Sequence, residues 1–168
     1  MNMEKEFVWY ACYGSNLSRD KFVERYISLC SDKTPPTEDR PYILHYPLYF
    51  AGNSGRWHGG VAFIGCKRDE RAYTFGRIYR ITPEQFRDTQ FNEGQSLKWY
   101  GNKLLLGTLD GLPVYTLTRA PEHDFTEPRL APPEYLDIIR QGLSETYPGL
   151  DAGAYLGQAA RFTESLMR

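Results

Sequence analysis

The sequence predicts an α+β protein, and three observations point to that class. Apolar segments of strand length follow one another with few helices between them, so most strands would be joined as hairpins. Two helix-like segments come last, separated by Tyr147-Pro148-Gly149. The length of 168 residues fits one domain with a core large enough to fold unaided. We therefore expect a single domain over residues 1–168.

The first half of the chain predicts four strands and one helix. An apolar run at 7–12 predicts a buried strand. Ser18 can then cap a helix, and Pro35-Pro36 interrupts the loop that follows it. A run of charged residues between the last two strands is typical of a solvated hairpin tip. The expected ranges are loop 31–41, strands 42–50, 60–66 and 73–81, and hairpin tip 67–71.

The second half predicts three helices and two strands. Thr82-Pro83-Glu84-Gln85 combines a hydroxyl cap, an early proline and a glutamine three residues after the cap, so it starts a helix. That helix is expected to be about two turns long before it reaches Glu93. Asp110-Gly111 is a strong hairpin dipeptide. The expected ranges are strands 98–106 and 112–117, a proline-rich loop at 119–133, and helices 134–146 and 152–167.

Composition narrows the functional classes. The net charge of −1 and the pI of about 6.3 argue against a nucleic-acid partner. No apolar stretch approaches a membrane span, and the polar segment Met1 to Glu6 lacks a secretory pattern. Three unevenly placed cysteines suggest reduced thiols in the cytoplasm. No His or Cys pair has metal-ligand spacing, so no metal is expected.

The pentad Tyr13-Gly14-Ser15-Asn16-Leu17 is the most informative local motif. It lies between the first predicted strand and the first predicted helix. A turn in that place points backbone N–H groups at one spot, and the positive helix end adds to their field. The pentad therefore predicts a site for a carboxylate or phosphate. A purely structural turn is the alternative interpretation.

The pentad resembles the signature of the γ-glutamylcyclotransferase family, and three more segments resemble that family in the same order. The resemblance spans roughly residues 8–145 and implies a small, largely antiparallel β-barrel flanked by helices. It also implies a small γ-glutamyl substrate and no cofactor. Homodimers occur among relatives, so this chain could form one. The three segments are Gly52-Asn53-Ser54 with 57–62, 76–81 with Asn92-Glu93-Gly94 and Tyr100, and Pro132-Pro133-Glu134-Tyr135 with Ile138, Ile139 and Gly142.

The reaction of that family defines what its site must do. The substrate's own α-amine attacks its γ-carbonyl, 5-oxoproline forms, and an amino acid or amine leaves. Because the nucleophile is already tethered, much of the effective molarity is built in. The enzyme must still hold the α-carboxylate, take a proton from the ammonium and protonate the departing nitrogen. None of these tasks needs a metal, a cofactor or a covalent nucleophile.

The resemblance places the catalytic acid/base at Glu93. One carboxylate can make both proton transfers, and partial burial would raise its pKa towards that of the amine. The alternative is a solvated glutamate at a helix end. The resemblance also implies pocket tyrosines at Tyr100 and Tyr135, for which ordinary packing is the alternative. The expected substrate-binding residues are Tyr13, Gly14, Ser15, Asn16, Leu17, Tyr100 and Tyr135.

His58 and Cys12 are weaker candidates for a catalytic role than Glu93. Trp57 and its neighbour His58 could supply a pocket wall or an acid/base, and a structural role is favoured for His58 because Glu93 already covers the proton chemistry. Cys12 directly precedes the pentad. It is expected to be a small core residue because no base is adjacent to it in the sequence.

Alternative functions and leaving groups remain open at this point. Ser15-Asn16-Leu17 resembles the branch of the family that acts on γ-glutamyl amino acids. A related branch that removes γ-glutamyl protecting groups in natural-product pathways also fits the pentad. A non-catalytic module that binds a γ-glutamyl or other amino-acid metabolite is one alternative function. An amide hydrolase, which would release free glutamate, is another.

Overall fold

A computed structural model describes residues 5–168, and the polar residues 1–4 lie outside the described part. The chain forms seven strands and four α-helices there, with short 3-10 turns at Ser15–Leu17, Ile27–Leu29 and Pro121–His123. The strands are β1 Val8–Cys12, β2 Asp39–Leu44, β3 Leu48–Ala51, β4 Val61–Ile64, β5 Thr74–Ile81, β6 Asn102–Leu109 and β7 Leu112–Thr118. The helices are α1 Arg19–Arg25, α2 Pro83–Glu93, α3 Pro133–Thr146 and α4 Ala152–Leu166.

Strand β1 is the centre of the main sheet, whose order is β2-β5-β1-β7-β6. All five of its residues are buried, which explains why the segment is a continuous apolar run. It pairs antiparallel with β5 and parallel with β7, while every other pairing is antiparallel. The α+β class and the mainly antiparallel pairing are therefore as expected.

The closed barrel is not confirmed. Within residues 5–168, β2 and β6 are the edges of an open five-stranded sheet, and β3 and β4 form a separate two-stranded sheet. Side chains from both sheets meet in one hydrophobic core.

The prediction of one strand at 42–50 was wrong. The chain forms β2, which begins at Asp39 inside the expected loop, and then β3, and the two strands belong to different sheets. Pro47 has no N–H for a ladder bond and lies between them, so the apolar run bends there.

The charged run 67–71 is exposed as expected. It is not a hairpin tip, because β4 and β5 also lie in different sheets.

Later elements follow the predictions more closely. The capping box at Thr82 and Gln85 forms, with both hydrogen bonds 3.1 Å long. Helix α2 has 11 residues, about three turns and not two, and Glu93 is its last residue. Strands β6 and β7 meet at Asp110-Gly111, where both residues have positive φ, as a type I′ hairpin requires. Strand β6 is displaced from the expected 98–106, because residues 94–101 form a loop.

Helix α3 packs directly on the backbone that follows β1. A Cβ at Gly142 would lie 2.3 Å from the carbonyl carbon of Leu17 and 2.4 Å from the backbone nitrogen of Ser18. Only glycine allows this approach, so Gly142 sets how closely α3 supports the pentad. Ser18 caps α1 as expected, accepting a bond from the Lys21 N–H at 3.4 Å.

We expect Gly142→Ala to lower the free energy of unfolding by about 1–3 kcal/mol, because the added methyl group has no space. Gly157→Ala in α4 is the matched control, since its Cβ would meet only the tip of Arg161 at 3.5 Å. The control should change stability by no more than about 1 kcal/mol. Urea denaturation measures both. Equal losses in the two variants would contradict close packing at Gly142.

Candidate active site

A cavity of about 220 Å³ opens where β1 ends. The pentad, the end of α2 and the loop after β3 supply its walls. All but one of the predicted site residues line it, although their sequence positions are widely separated. Those that line it are Tyr13, Gly14, Ser15, Asn16, Glu93, Tyr100 and Tyr135.

Leu17 is the exception. Its side chain is fully buried, and its N–H donates to the carbonyl of Gly14 at 3.0 Å. Neither group is therefore presented to a ligand in the cavity. The place of Leu17 in the motif is explained by packing against α3.

Strand β5 holds the backbone of the pentad in position. The Tyr79 hydroxyl donates to the carbonyl of Asn16 at 2.8 Å, and Arg77 Nη1 donates to the carbonyl of Leu17 at 2.8 Å. These two bonds fix the carbonyls of the turn. Within residues 5–168, the N–H groups of Gly14 and Asn16 have no hydrogen-bond acceptor.

Gly14 is required by the close approach of Tyr135. A Cβ at position 14 would lie 2.7 Å from the Tyr135 hydroxyl oxygen. That hydroxyl accepts a hydrogen bond from the Ala62 N–H at 2.9 Å, so its own proton is available to a ligand. Tyr135 therefore contacts the pentad, and its O–H can still donate a hydrogen bond.

Glu93 is held at both of its carboxylate oxygens. Asn16 Nδ2 donates to Oε1 at 2.8 Å, and the Tyr26 hydroxyl donates to Oε2 at 3.1 Å. Asn16 Nδ2 also donates to the Tyr10 hydroxyl at 3.0 Å. These bonds fix the carboxylate at the cavity wall. The alternative of a freely solvated glutamate does not fit this arrangement.

Desolvation raises the pKa of Glu93 to about 7. The hydrogen bonds from Tyr26 and Asn16 and the charge of Arg56 act in the opposite direction, because each favours the ionised form. Burial outweighs all three. Glu93 can consequently gain and lose a proton near neutral pH, as an acid/base must.

The hydroxyls of the other two predicted tyrosines donate hydrogen bonds to backbone carbonyls. Tyr100 donates to the carbonyl of Ala62 at 2.8 Å, and Tyr13 donates to the carbonyl of Leu117 at 2.6 Å. Their rings form cavity wall, but neither O–H proton is free. Tyr13 therefore lines the cavity with its ring, while its hydroxyl serves the fold.

His58 and Cys12 have structural surroundings, as the sequence indicated. His58 is exposed, lies at φ +59° and does not line the cavity. Cys12 is buried, donates from Sγ to the Arg77 carbonyl at 3.3 Å, and has its pKa raised by burial. A thiol with a raised pKa is a poor nucleophile near neutral pH.

Sequence reasoning missed several residues of the cavity, among them Tyr10, Tyr26 and Arg56. Tyr26 directly follows the helix that Ser18 begins, and Tyr10 lies in a strand that reads as pure core. A hydroxyl within an otherwise apolar segment is the only local signal for either residue. Arg56 has no signal in the sequence, because a charged loop residue is usually solvated.

Comparisons with known proteins support the fold. No family model matches the chain. A solved structure of a γ-glutamyl cyclotransferase superposes with a TM-score of 0.67 at 20% identity, covering 90% of this chain and 87% of that one. An uncharacterised human protein gives 0.66 at 19% identity, covering 91% and 88%. YkqA from Bacillus subtilis gives 0.58 at 18% identity, covering 96% of this chain and 55% of YkqA.

The chain therefore has the fold of the γ-glutamyl cyclotransferases, and the resemblance found in the sequence is confirmed at that level. A curated relative, histone deacetylase 5 of Arabidopsis thaliana, is 29% identical over 158 aligned positions. The match covers 70% of this chain and 24% of the deacetylase. The chain thus spans about a quarter of that relative's length.

Two features are absent from residues 5–168. No helix described there is both long and apolar enough to cross a membrane. No group of three or more His, Cys, Asp or Glu side chains in that range is arranged to hold a metal ion.

We expect Glu93→Gln to be more stable than wild type by about 1–3 kcal/mol at pH 8. The folded protein keeps the Glu93 proton up to about pH 7, whereas the unfolded chain releases it near 4.5. Wild-type stability therefore falls as pH rises through that window, and glutamine escapes the loss. The difference should shrink below about 1 kcal/mol at pH 5. Denaturant titrations at the two pH values measure it, and a difference independent of pH would contradict the raised pKa.

Proposed function

We propose that this chain is a γ-glutamyl cyclotransferase-like enzyme that converts a γ-glutamyl group to 5-oxoproline and releases an amino acid or amine. The observation that carries the proposal is Glu93, a desolvated carboxyl with a pKa of about 7 facing a cavity beside unpaired backbone N–H groups. The fold of the γ-glutamyl cyclotransferases supports it.

The proposed reaction uses Glu93 twice. Its carboxylate takes a proton from the substrate's α-ammonium, and the free amine attacks the γ-carbonyl carbon. A new C–N bond closes the five-membered ring. Glu93 then gives the proton to the departing nitrogen as the original C–N bond breaks, which restores the carboxylate. The ring nitrogen, which still carries two hydrogens after the attack, loses its second proton to the released amine, so the products are a neutral lactam and an ammonium group.

The pentad is proposed to hold the substrate during these steps. The N–H groups of Gly14 and Asn16 are the candidates for binding the α-carboxylate, because nothing else within the described residues accepts from them. The spare proton of Tyr135 offers a further donor beside Gly14. Holding the carboxylate places the adjacent α-amine for attack on its own side chain.

An enzyme fits this site better than the two alternatives. A binding module for an anionic metabolite gains nothing from a carboxyl that ionises near neutral pH. In a hydrolase, a water molecule would have to attack the γ-carbonyl faster than the substrate's own tethered α-amine does. The cytoplasmic location also belongs to this proposal, and the three unpaired cysteines support it.

We expect purified protein to release 5-oxoproline from at least one member of a panel of γ-glutamyl amino acids, γ-glutamylamines and glutathione, as measured by mass spectrometry. Glu93→Gln should reduce turnover at least ~10³-fold, because it removes both proton transfers. Glu164→Gln, an exposed position on α4, is the matched control and should keep full activity. Free glutamate as the product would favour the hydrolase. Ligand binding without turnover would favour the binding module.

Tyr26→Phe should raise the pKa of Glu93, because it removes a hydrogen bond that favours the carboxylate. The rise of kcat/KM with pH should move about one unit upward. Tyr73→Phe, which alters an exposed tyrosine, is the control and should leave the profile unchanged. An unshifted profile in Tyr26→Phe would show that the observed pKa does not belong to Glu93.

A further inference from the structure

One wall of the cavity carries positive charge that the proposed mechanism does not use. Arg56 and Trp57 both line it, in the loop between β3 and β4. The guanidinium of Arg25 stacks on Trp57, 4.9 Å from the ring centroid. The indole therefore lies against one guanidinium and next in sequence to another.

Neither arginine is neutralised by the described part of the chain. No ion pair involves Arg56 or Arg25 within residues 5–168. Arg25 Nη1 is buried there without a hydrogen-bond partner. Glu93 is the only carboxyl among the cavity residues, and its two oxygens already accept hydrogen bonds from Asn16 and Tyr26. The wall can accordingly accept an anion.

The loop that carries Arg56 is internally braced. Ser54 Oγ accepts from the Trp57 N–H at 3.2 Å, and the Ser54 carbonyl accepts from the His58 N–H at 2.8 Å. The Ser54 N–H donates to the Gly59 carbonyl at 2.9 Å. The backbone that carries Arg56 is therefore fixed, so a bound anion would not have to order this loop.

The short distance between the departing nitrogen and the carboxylate of an amino-acid leaving group indicates which anion this wall would bind. In the proposed reaction the departing nitrogen must lie at Glu93. In an amino-acid leaving group, the carboxylate carbon is two bonds from that nitrogen. Arg56, Glu93 and Tyr26 line the same cavity. A carboxylate two bonds from a nitrogen held at Glu93 would therefore share that cavity with the Arg56 guanidinium.

We infer that Arg56, backed by the Trp57–Arg25 stack, recognises the carboxylate of the leaving group and makes the enzyme prefer γ-glutamyl amino acids to γ-glutamylamines. The inference rests on the proposed function and extends it to the leaving group. The γ-glutamyl half is held by the pentad, so Arg56 discriminates only between leaving groups.

Two substrates that differ by one carboxylate test the inference. γ-Glutamyl-L-alanine and γ-glutamylethylamide share the reacting group, and their leaving groups have the same two-carbon skeleton beside the nitrogen. Wild type should show a kcat/KM about tenfold higher for the alanine compound, mainly through KM. Arg56→Gln should remove most of that preference by weakening the alanine compound alone, and Arg56→Lys should retain part of it. Arg71→Gln, an exposed arginine between β4 and β5, is the control and should keep the preference.

The outcomes separate this inference from the proposed function. Equal loss for both substrates in Arg56→Gln would overturn it, because Arg56 would then serve the γ-glutamyl half or the fold. Absence of 5-oxoproline from both compounds in wild type would count against the proposed function instead. Calorimetric titration of the same two compounds then decides the inference. Tighter binding of the alanine compound, lost in Arg56→Gln, would support it, and equal or absent binding would overturn it.

Discussion

The hydrogen bond from Asn16 to Glu93 is the contact on which the candidate site depends. It joins the turn after β1 to the last residue of α2, two points 77 residues apart in the chain. The Asn16 side chain can reach Glu93 because its backbone is fixed from behind, where Tyr79 binds the Asn16 carbonyl. The same turn therefore places Glu93, the candidate acid/base, around one cavity with the N–H groups of Gly14 and Asn16, which have no acceptor within residues 5–168.

A buried ionic cluster supports that turn. Arg77 lies in the central part of the main sheet and is paired with Asp39 of β2 and Glu145 of α3, at 2.9 and 2.7 Å. Its guanidinium also donates to the Leu17 carbonyl and lies over the Tyr79 ring. A buried guanidinium is tolerable only when its donors are satisfied, so α3, β2 and the pentad must occupy compatible positions. Gly142 then lets α3 approach the turn without a clash.

The site works against the stability of the fold. Desolvating Glu93 disfavours its charged form, and the two hydrogen bonds to the carboxylate recover only part of that cost. A core optimised for stability alone would place a neutral side chain there. The arrangement is typical of sites that keep a carboxyl titrating near neutral pH for chemistry. Within residues 5–168 the guanidiniums of Arg56 and Arg25 form no ion pair, which adds a second local imbalance of charge.

Local chemistry in the sequence determined several features of this protein. The apolar run of β1, the capping box at Thr82 and the Asp110-Gly111 hairpin all depend on neighbouring residues, so pattern alone predicts them. The pentad and Glu93 were recognisable as ordered motifs, and the structure places both at one cavity. Only the tertiary structure decided the break at Pro47 between two sheets, the open sheet edges, and the burial of Leu17. It also decided the hydrogen bond from Tyr26 to Glu93 and the position of Arg56 at the cavity. Sequence patterns report on neighbours along the chain, whereas desolvation, pKa and charge balance depend on what the fold brings together.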